Sequence, residues 1–328
     1  MVMKEFEMIQ TYFSGRGPQR KDVIVGVGDD AALMKMPQDK LLVVATDTMV
    51  ENTHFFTDTS ARSIGHRCLA VNLSDFAAMG AEPAWASVAI TLPNADEQWV
   101  KEFADGLFEI AEYYNVQIVG GDTTQGPLAV TVSLKGFVTE GKALLRSGAK
   151  AGDWIYVTGE LGESALAVDS KINGLKFPED IASHIQQRFD YPVARIAAGQ
   201  VVRHAATSAL DISDGLIQDL GHILKASSVS ARIDVERLPI SHTLYDAVGQ
   251  EKAISLALTG GEDYEILFTV PEQQKGYLEQ NATAMGVKYT CIGQICGGDT
   301  GIELLFNDEP FNLKGQKGFQ HFSDKEEK

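Results

Sequence analysis

Aspartate keeps returning beside glycine, serine or threonine at the ends of short apolar runs. It does so at Asp29-Asp30 in GVGDDA, Asp47 in ATDTMV, Asp122 in GGDTTQG, and Asp211 and Asp214 in DISDGL; the acidic pair Glu262-Asp263 in TGGEDYEILF repeats the pattern. A short apolar run that stops at small polar residues reads as a buried strand, and strand ends are where an α/β protein presents side chains to a cleft. Asp and Gly also make good turns, so one such site says little. Several together say more, because two carboxylates 4 Å apart repel by about 4 kcal/mol at an effective dielectric near 20. A gathered set is stable mainly with cations among it. Oxygen donors of this kind, with the Thr46 hydroxyl and main-chain carbonyls nearby, suit Mg²⁺ or Ca²⁺. The alternating acids of an EF-hand loop are absent, which disfavours a dedicated calcium site.

Strands and helices alternate between these sites. Residues 1–14 alternate charged and apolar positions as an amphipathic helix does, without the apolar core of a signal peptide. Residues 41–46 read as a strand, 61–79 as a helix capped by Ser60, and 93–115 as a helix with Val100, Phe103, Leu107, Ala111 and Tyr114 on one stripe. A strand at 116–119 runs into Gly120-Gly121-Asp122, and a longer one at 129–138 is expected to pair across a turn near Glu140-Gly141. The Gly- and Ala-rich bend at 148–152 is the expected domain boundary. Beyond it, helices are expected near 180–205, 214–226 and 272–285, and strands near 153–158, 231–235, 263–270, 289–295 and 302–306. The fold class is α/β (α+β), as two domains, 1–148 and 149–328, with mixed sheets.

Asp75 sits within the 61–79 helix on a stripe with Ile64, Cys68, Val71 and Met79. An isolated buried charge costs several kcal/mol, so this carboxylate needs a metal, the neighbouring Arg67 or a backbone amide. The net charge of −17 argues against nucleic-acid or anionic-membrane partners, which need a basic face. Three cysteines, Cys68, Cys291 and Cys296, fit reduced thiols in a reducing, cytoplasmic compartment, and no apolar run is long enough to span a membrane. Gly136 to Lys142 has P-loop spacing, but Ala143 stands where a Ser or Thr should follow, and the context is strand–turn–strand.

In order, GVGDDAA, ATDTMVENTHF, VNLSDFAAMGAEP, GGDTTQG, LLRSGAKAGD, DISDGL and TGGEDYEILF run from about residue 25 to the terminal GFQHF. This series resembles the thiamine-monophosphate kinase family, part of the ATP-binding superfamily typified by aminoimidazole ribonucleotide synthetase. DDAA is shared across that superfamily; VENTHF with TGGEDYE and a terminal aromatic-x-His-Phe is far more specific.

The resemblance implies an aminoimidazole ribonucleotide synthetase-like fold, a homodimer formed through the N-terminal domains, and ATP in the cleft between domains. It implies ATP-dependent phosphorylation of thiamine monophosphate to thiamine diphosphate, assisted by several Mg²⁺ ions and needing no general base. By motif, the metal ligands would be Asp30, Ala45 through its carbonyl, Thr46, Asp47, Asp75, Asp122, Asp211 and Asp214. The family commonly has Ser or Thr at the position of Ala45, so only a main-chain oxygen is offered there. Gly121, Asp122, Arg146 and Ser213 would contact ATP, and His54, Glu262 and Phe319 thiamine monophosphate. Each fits its role: His54 as a donor to phosphate, Arg146 as a bidentate phosphate clamp, Phe319 as a stacking surface, and Glu262 as a partner for the cationic thiazolium. Two superfamily rivals are disfavoured. Selenophosphate synthetases use a reactive Cys or selenocysteine near the N-terminus, whereas no cysteine precedes Cys68; hydrogenase-maturation proteins end in Cys, whereas this chain ends Glu-Glu-Lys. A non-catalytic cation-binding protein would explain the acids but not Arg146 and His54.

Overall fold

A computed structural model describes residues 5–313 and divides into two compact units, the first ending at Ala143 and the second beginning at Leu144. That division falls slightly ahead of the glycine-rich bend at 148.

The first unit opens with helix α1 (Glu5–Tyr12) and a two-stranded hairpin, β1 (Val23–Val25) and β2 (Leu33–Met34). Then follow β3 (Lys40–Val50), α2 (Ala61–Ala78), β4 (Glu82–Leu92), α3 (Glu97–Tyr113), β5 (Gln117–Gln125) and β6 (Ala129–Thr139). Four strands form one sheet in the order β3-β6-β4-β5, parallel only between β4 and β5. The expected partner for β6 across Glu140-Gly141 is not there: β6 pairs instead with β3 and β4, which precede it. β5 also runs on through Gly120-Gly121-Asp122. Gly and Asp are poor strand formers, but parallel pairing with β4 carries them.

One face of this sheet packs against α2. Val43, Met49, Val130, Val132, Leu134, Val88 and Ile90 are buried on it, and Phe76 of α2 lies against Gly136. Ser60 caps α2 by accepting from the Ser63 N–H, as its position before the helix predicts. Ile64, Cys68 and Val71 are buried along the stripe that carries half-buried Asp75. The two helices meet backbone to backbone: a Cβ on Gly106 would fall 1.9 Å from the Arg62 carbonyl oxygen, and one on Gly65 2.0 Å from that of Phe103. Main-chain atoms cannot rotate aside, so Gly106→Ala should cost about 3 kcal/mol, the upper end for overpacking, read as a lower urea midpoint.

The second unit runs β7 (Trp154–Thr158), α4 (Glu163–Asn173), α5 (Glu179–Asp190), α6 (Ile196–Val202), β8 (Ser208–Asp211), α7 (Leu216–Ser227) and β9 (Ser230–Asp234). It continues with α8 (His242–Val248), α9 (Gln250–Thr259), β10 (Ile266–Val270), α10 (Lys275–Met285), β11 (Tyr289–Cys296), β12 (Ile302–Phe306) and β13 (Glu309–Pro310). Seven strands form a sheet ordered β13-β12-β9-β11-β7-β10-β8, in which only β9 and β12 are parallel. Both large sheets are therefore mixed, as expected. Ile155, Val157, Leu210, Ile212, Leu220, Ile223, Ile233, Leu258 and Leu267 belong to one buried core.

Two local expectations need correcting. The helix expected over 180–205 is broken into α5 and α6 by a loop holding Pro192, which has no N–H to continue a helix. The strand expected from 263 starts only at Ile266, because Glu262 and Tyr264 take φ of +72° and +51°, a left-handed backbone no strand allows. Among the described residues, no helix is long and apolar enough to cross a membrane.

Candidate active site

In the first unit the acidic motifs around residues 30 and 122 come together. A cavity of about 730 Å³ is lined by Asp29, Asp30, Gly120, Gly121 and Asp122, with Ile9, Phe13 and Ile118 supplying apolar wall. Asp29 accepts the Asp30 N–H at 2.8 Å, which fixes the turn and leaves the exposed Asp30 carboxylate outside that bond. Asp122 is exposed on β5. Neither Asp30 nor Asp122 has a cationic partner among the described residues. Gly121 must be glycine, since a Cβ there would sit 1.8 Å from the Val88 carbonyl oxygen.

Ala45, Thr46 and Asp47 follow one another on β3, so their side chains alternate between faces. Thr46 points to the open face and donates to Ser133 Oγ at 3.1 Å. Asp47 points to the α2 side, in register with Val132, Val88 and Gly121, while Asp122 faces the opposite way. Asp47 and Asp75 are not among the residues that line the cavity with Asp30 and Asp122. Asp47 is half-buried with no hydrogen bond or ion pair among the described residues, and desolvation alone pushes its pKa up. His54, in the loop after β3, accepts the Val50 N–H through Nδ1 at 3.1 Å. That bond makes Nε2 the protonated nitrogen, a donor.

The second unit brings DISDGL and TGGEDYEILF together. Glu262 N–H donates to the Ser213 carbonyl at 2.9 Å, Tyr264 N–H to that of Ile212 at 2.9 Å, and Ile212 N–H to that of Glu265 at 2.8 Å. Gly261 lets the loops touch, since a Cβ there would lie 2.3 Å from the Ser213 oxygen. The Tyr264 hydroxyl donates to Glu262 Oε2 at 2.7 Å. Asp211 is buried at the end of β8, with Asp214 three residues on.

Behind the 211–215 turn stands Asp219, in the first turn of α7. Its Oδ2 accepts the N–H groups of Ser213, Asp214 and Gly215 at 3.0, 3.0 and 3.2 Å. Burial, with added repulsion from Asp211 and Asp214, lifts its pKa to about 7 despite those donors. Behind the 260–265 loop lies a buried charge network. Glu265 accepts from Arg195 and, at 2.7 Å, from the Thr158 hydroxyl, and Glu163 meets His184 Nε2 at 2.9 Å and Arg188 Nε at 3.2 Å. Asp263 accepts the Gly162 N–H at 3.0 Å. Arg146 is exposed in the loop before β7. Phe319 lies outside the described residues.

Among the described residues, no three His, Cys, Asp or Glu side chains are close enough to hold a metal by themselves. The donor chemistry nonetheless fits magnesium, which is commonly held by one or two carboxylates together with substrate phosphates rather than in an all-protein cage. Half-buried Asp47, without a partner among the described residues, is the observation that most favours a cation.

The chain matches two family models, AIR synthase related protein, N-terminal domain over residues 28–138 and AIR synthase related protein, C-terminal domain over residues 150–304. It is 47% identical over 324 residues to the thiamine-monophosphate kinase of Escherichia coli (strain K12), covering 98% of this chain and 99% of that one. The chain belongs to the thiamine-monophosphate kinase family. The crystal structure of thiamine-monophosphate kinase from Stenotrophomonas maltophilia K279a superposes with a TM-score of 0.84 at 40% identity, over 89% of this chain and 93% of that one. AaThiL complexed with AMPPCP and TMP gives a TM-score of 0.76 at 30% identity, over 88% and 89%.

Against this member of the thiamine-monophosphate kinase family, sequence reading missed two groups. Asp219 left a signal, an acid near the start of an expected helix just after DISDGL, where a carboxylate can meet the N–H groups of a helix N-terminus. Lys135 of β6, which lines the cavity with Asp30 and Asp122, left a weaker one, a lone basic residue in the alternating strand 129–138.

Proposed function

We propose that this chain transfers the γ-phosphate of ATP to thiamine monophosphate, making thiamine diphosphate, with Mg²⁺ ions held by its aspartates. The observation that carries this reading is full-length kinship to thiamine-monophosphate kinases, joined to a cavity lined by both Asp30 and Asp122.

The acceptor oxygen belongs to a phosphate already anionic at neutral pH, so no side chain need remove a proton. The task is to align two mutually repelling anions. Bound magnesium would supply the positive charge that screens them and the charge developing in line. Asp30, Asp47, Asp75, Asp122, Asp211 and Asp214, with Thr46 and the Ala45 carbonyl, are assigned to hold it. Gly121 and Asp122 of β5, with Arg146 and Ser213, are assigned to ATP. His54 offers Nε2–H to the acceptor phosphate, and the Tyr264 hydroxyl steadies Glu262 for the thiazolium or the pyrimidine amine. Phe319 is assigned as the stacking surface. The first domain is assigned nucleotide and metal binding and pairing, and the second contributes Arg146, Asp211, Ser213, Asp214 and Glu262. ADP release from ATP in the presence of thiamine monophosphate, compared with selenide or no acceptor, tests the reading; equal release in all three rejects it.

We further assign a homodimer and a cytoplasmic location. β3 is an edge strand with Leu41, Leu42 and Val44 exposed at 48%, 55% and 55%. A long apolar edge of this kind invites aggregation unless another chain covers it. Val44→Lys should convert a dimer to a monomer by light scattering, and a native chain already monomeric would reject the pairing. The location rests on three cysteines that form no disulfide.

A further inference from the structure

Lys135 projects from β6 onto the sheet face away from α2. Its ammonium donates to Ser87 Oγ and, at 3.0 Å, to the Ser133 carbonyl. It lines the same 730 Å³ cavity as Asp29, Asp30 and Asp122, and no other basic side chain does so among the described residues. No carboxylate lies within ion-pair distance of it among those residues. Burial, uncompensated by an anion, holds its pKa below the ordinary lysine value.

A half-buried ammonium satisfied by one hydroxyl and one carbonyl keeps its charge unneutralised, which disfavours the charged form. An anionic ligand would reverse that. The cavity lining also carries apolar side chains, among them Ile9, Phe13 and Ile118, and suits a ring-bearing ligand better than a bare ion. Both assigned substrates join a ring to an anionic group, and ATP carries the longer and more highly charged phosphate chain.

We propose that Lys135 is a nucleotide-binding residue, its ammonium pairing with the phosphate chain of ATP inside this cavity. This rests on the kinase reading above and deepens it. The lysine acts as a point charge on the phosphates, beside the carboxylates assigned to the metal. Thiamine monophosphate also carries a phosphate, so the test must separate the two.

The test is calorimetric titration of the full chain with ADP and magnesium, and separately with thiamine monophosphate, for native protein, Lys135→Met and Lys135→Arg. Lys135→Met should weaken ADP by about tenfold or more and leave thiamine monophosphate within about twofold, while Lys135→Arg should stay within about threefold of native for both. Native affinity for ADP should also fall as pH rises through the depressed lysine pKa, and Lys135→Arg should not follow it. ADP affinity within about twofold of native in Lys135→Met overturns the proposal, as does equal loss in Met and Arg variants or a loss confined to thiamine monophosphate. If native protein fails to phosphorylate thiamine monophosphate while Lys135→Met still loses ADP, the acceptor assignment fails and the lysine stands.

Discussion

Asp47→Asn and Asp122→Asn should each lower kcat by about a thousandfold or more, an effect of roughly 4 kcal/mol on the barrier, with the fold intact. Asn keeps the shape of the side chain and removes the charge that holds a cation. Asp47 adds a stability signature. Its folded pKa is raised by desolvation, so the stability it contributes is present at low pH and lost as pH rises through that raised value. Above it, an ionised half-buried carboxylate without a partner weighs on the fold. Without magnesium, Asp47→Asn should therefore melt at or above the native temperature once the pH is above that raised value, and magnesium should raise the native melting point more above it than below it. Near-native turnover in both variants would remove the metal assignment.

Asp219→Ala is expected to destabilise the second unit by about 3–5 kcal/mol. One oxygen serves the N–H groups of Ser213, Asp214 and Gly215, and a buried donor left without an acceptor costs about 1–3 kcal/mol. Asp219→Asn keeps an acceptor oxygen and should lose less. The raised pKa sets the pH dependence: this group's favourable contribution is full below about pH 4, its unfolded value, and is gone above about pH 7. The native advantage over Asp219→Asn should accordingly narrow across that window in urea titrations. A loss under about 1 kcal/mol for Asp219→Ala would mean that water takes over all three donors.

Much of this was legible beforehand where periodicity and caps agree. Ser60 before an apolar stripe marked α2, and the short apolar runs ending at Asp211 and around Ile266 marked strands that do pair, β8 with β10. What stayed hidden depended on partners far along the chain. β5 runs through two glycines and an aspartate only because β4 lies beside it, and no local propensity announces that. Glu262 and Tyr264 leave the strand through left-handed backbone that ordinary residues avoid, so TGGEDYEILF looked like strand two residues too early. The acids were legible as a set, but their faces were not. Asp47 and Asp122 point to opposite sides of one sheet because register, fixed by pairing, decides which way an odd or even position faces.

The clasp between residues 212–213 and 262–264 has an evolutionary corollary. Because main-chain bonds rather than side chains join the two segments, neither can gain or lose a residue without re-aiming the carboxylate borne by its neighbour. Two stretches far apart in the gene are thereby yoked: side chains there may drift one at a time, but lengths must drift as a pair.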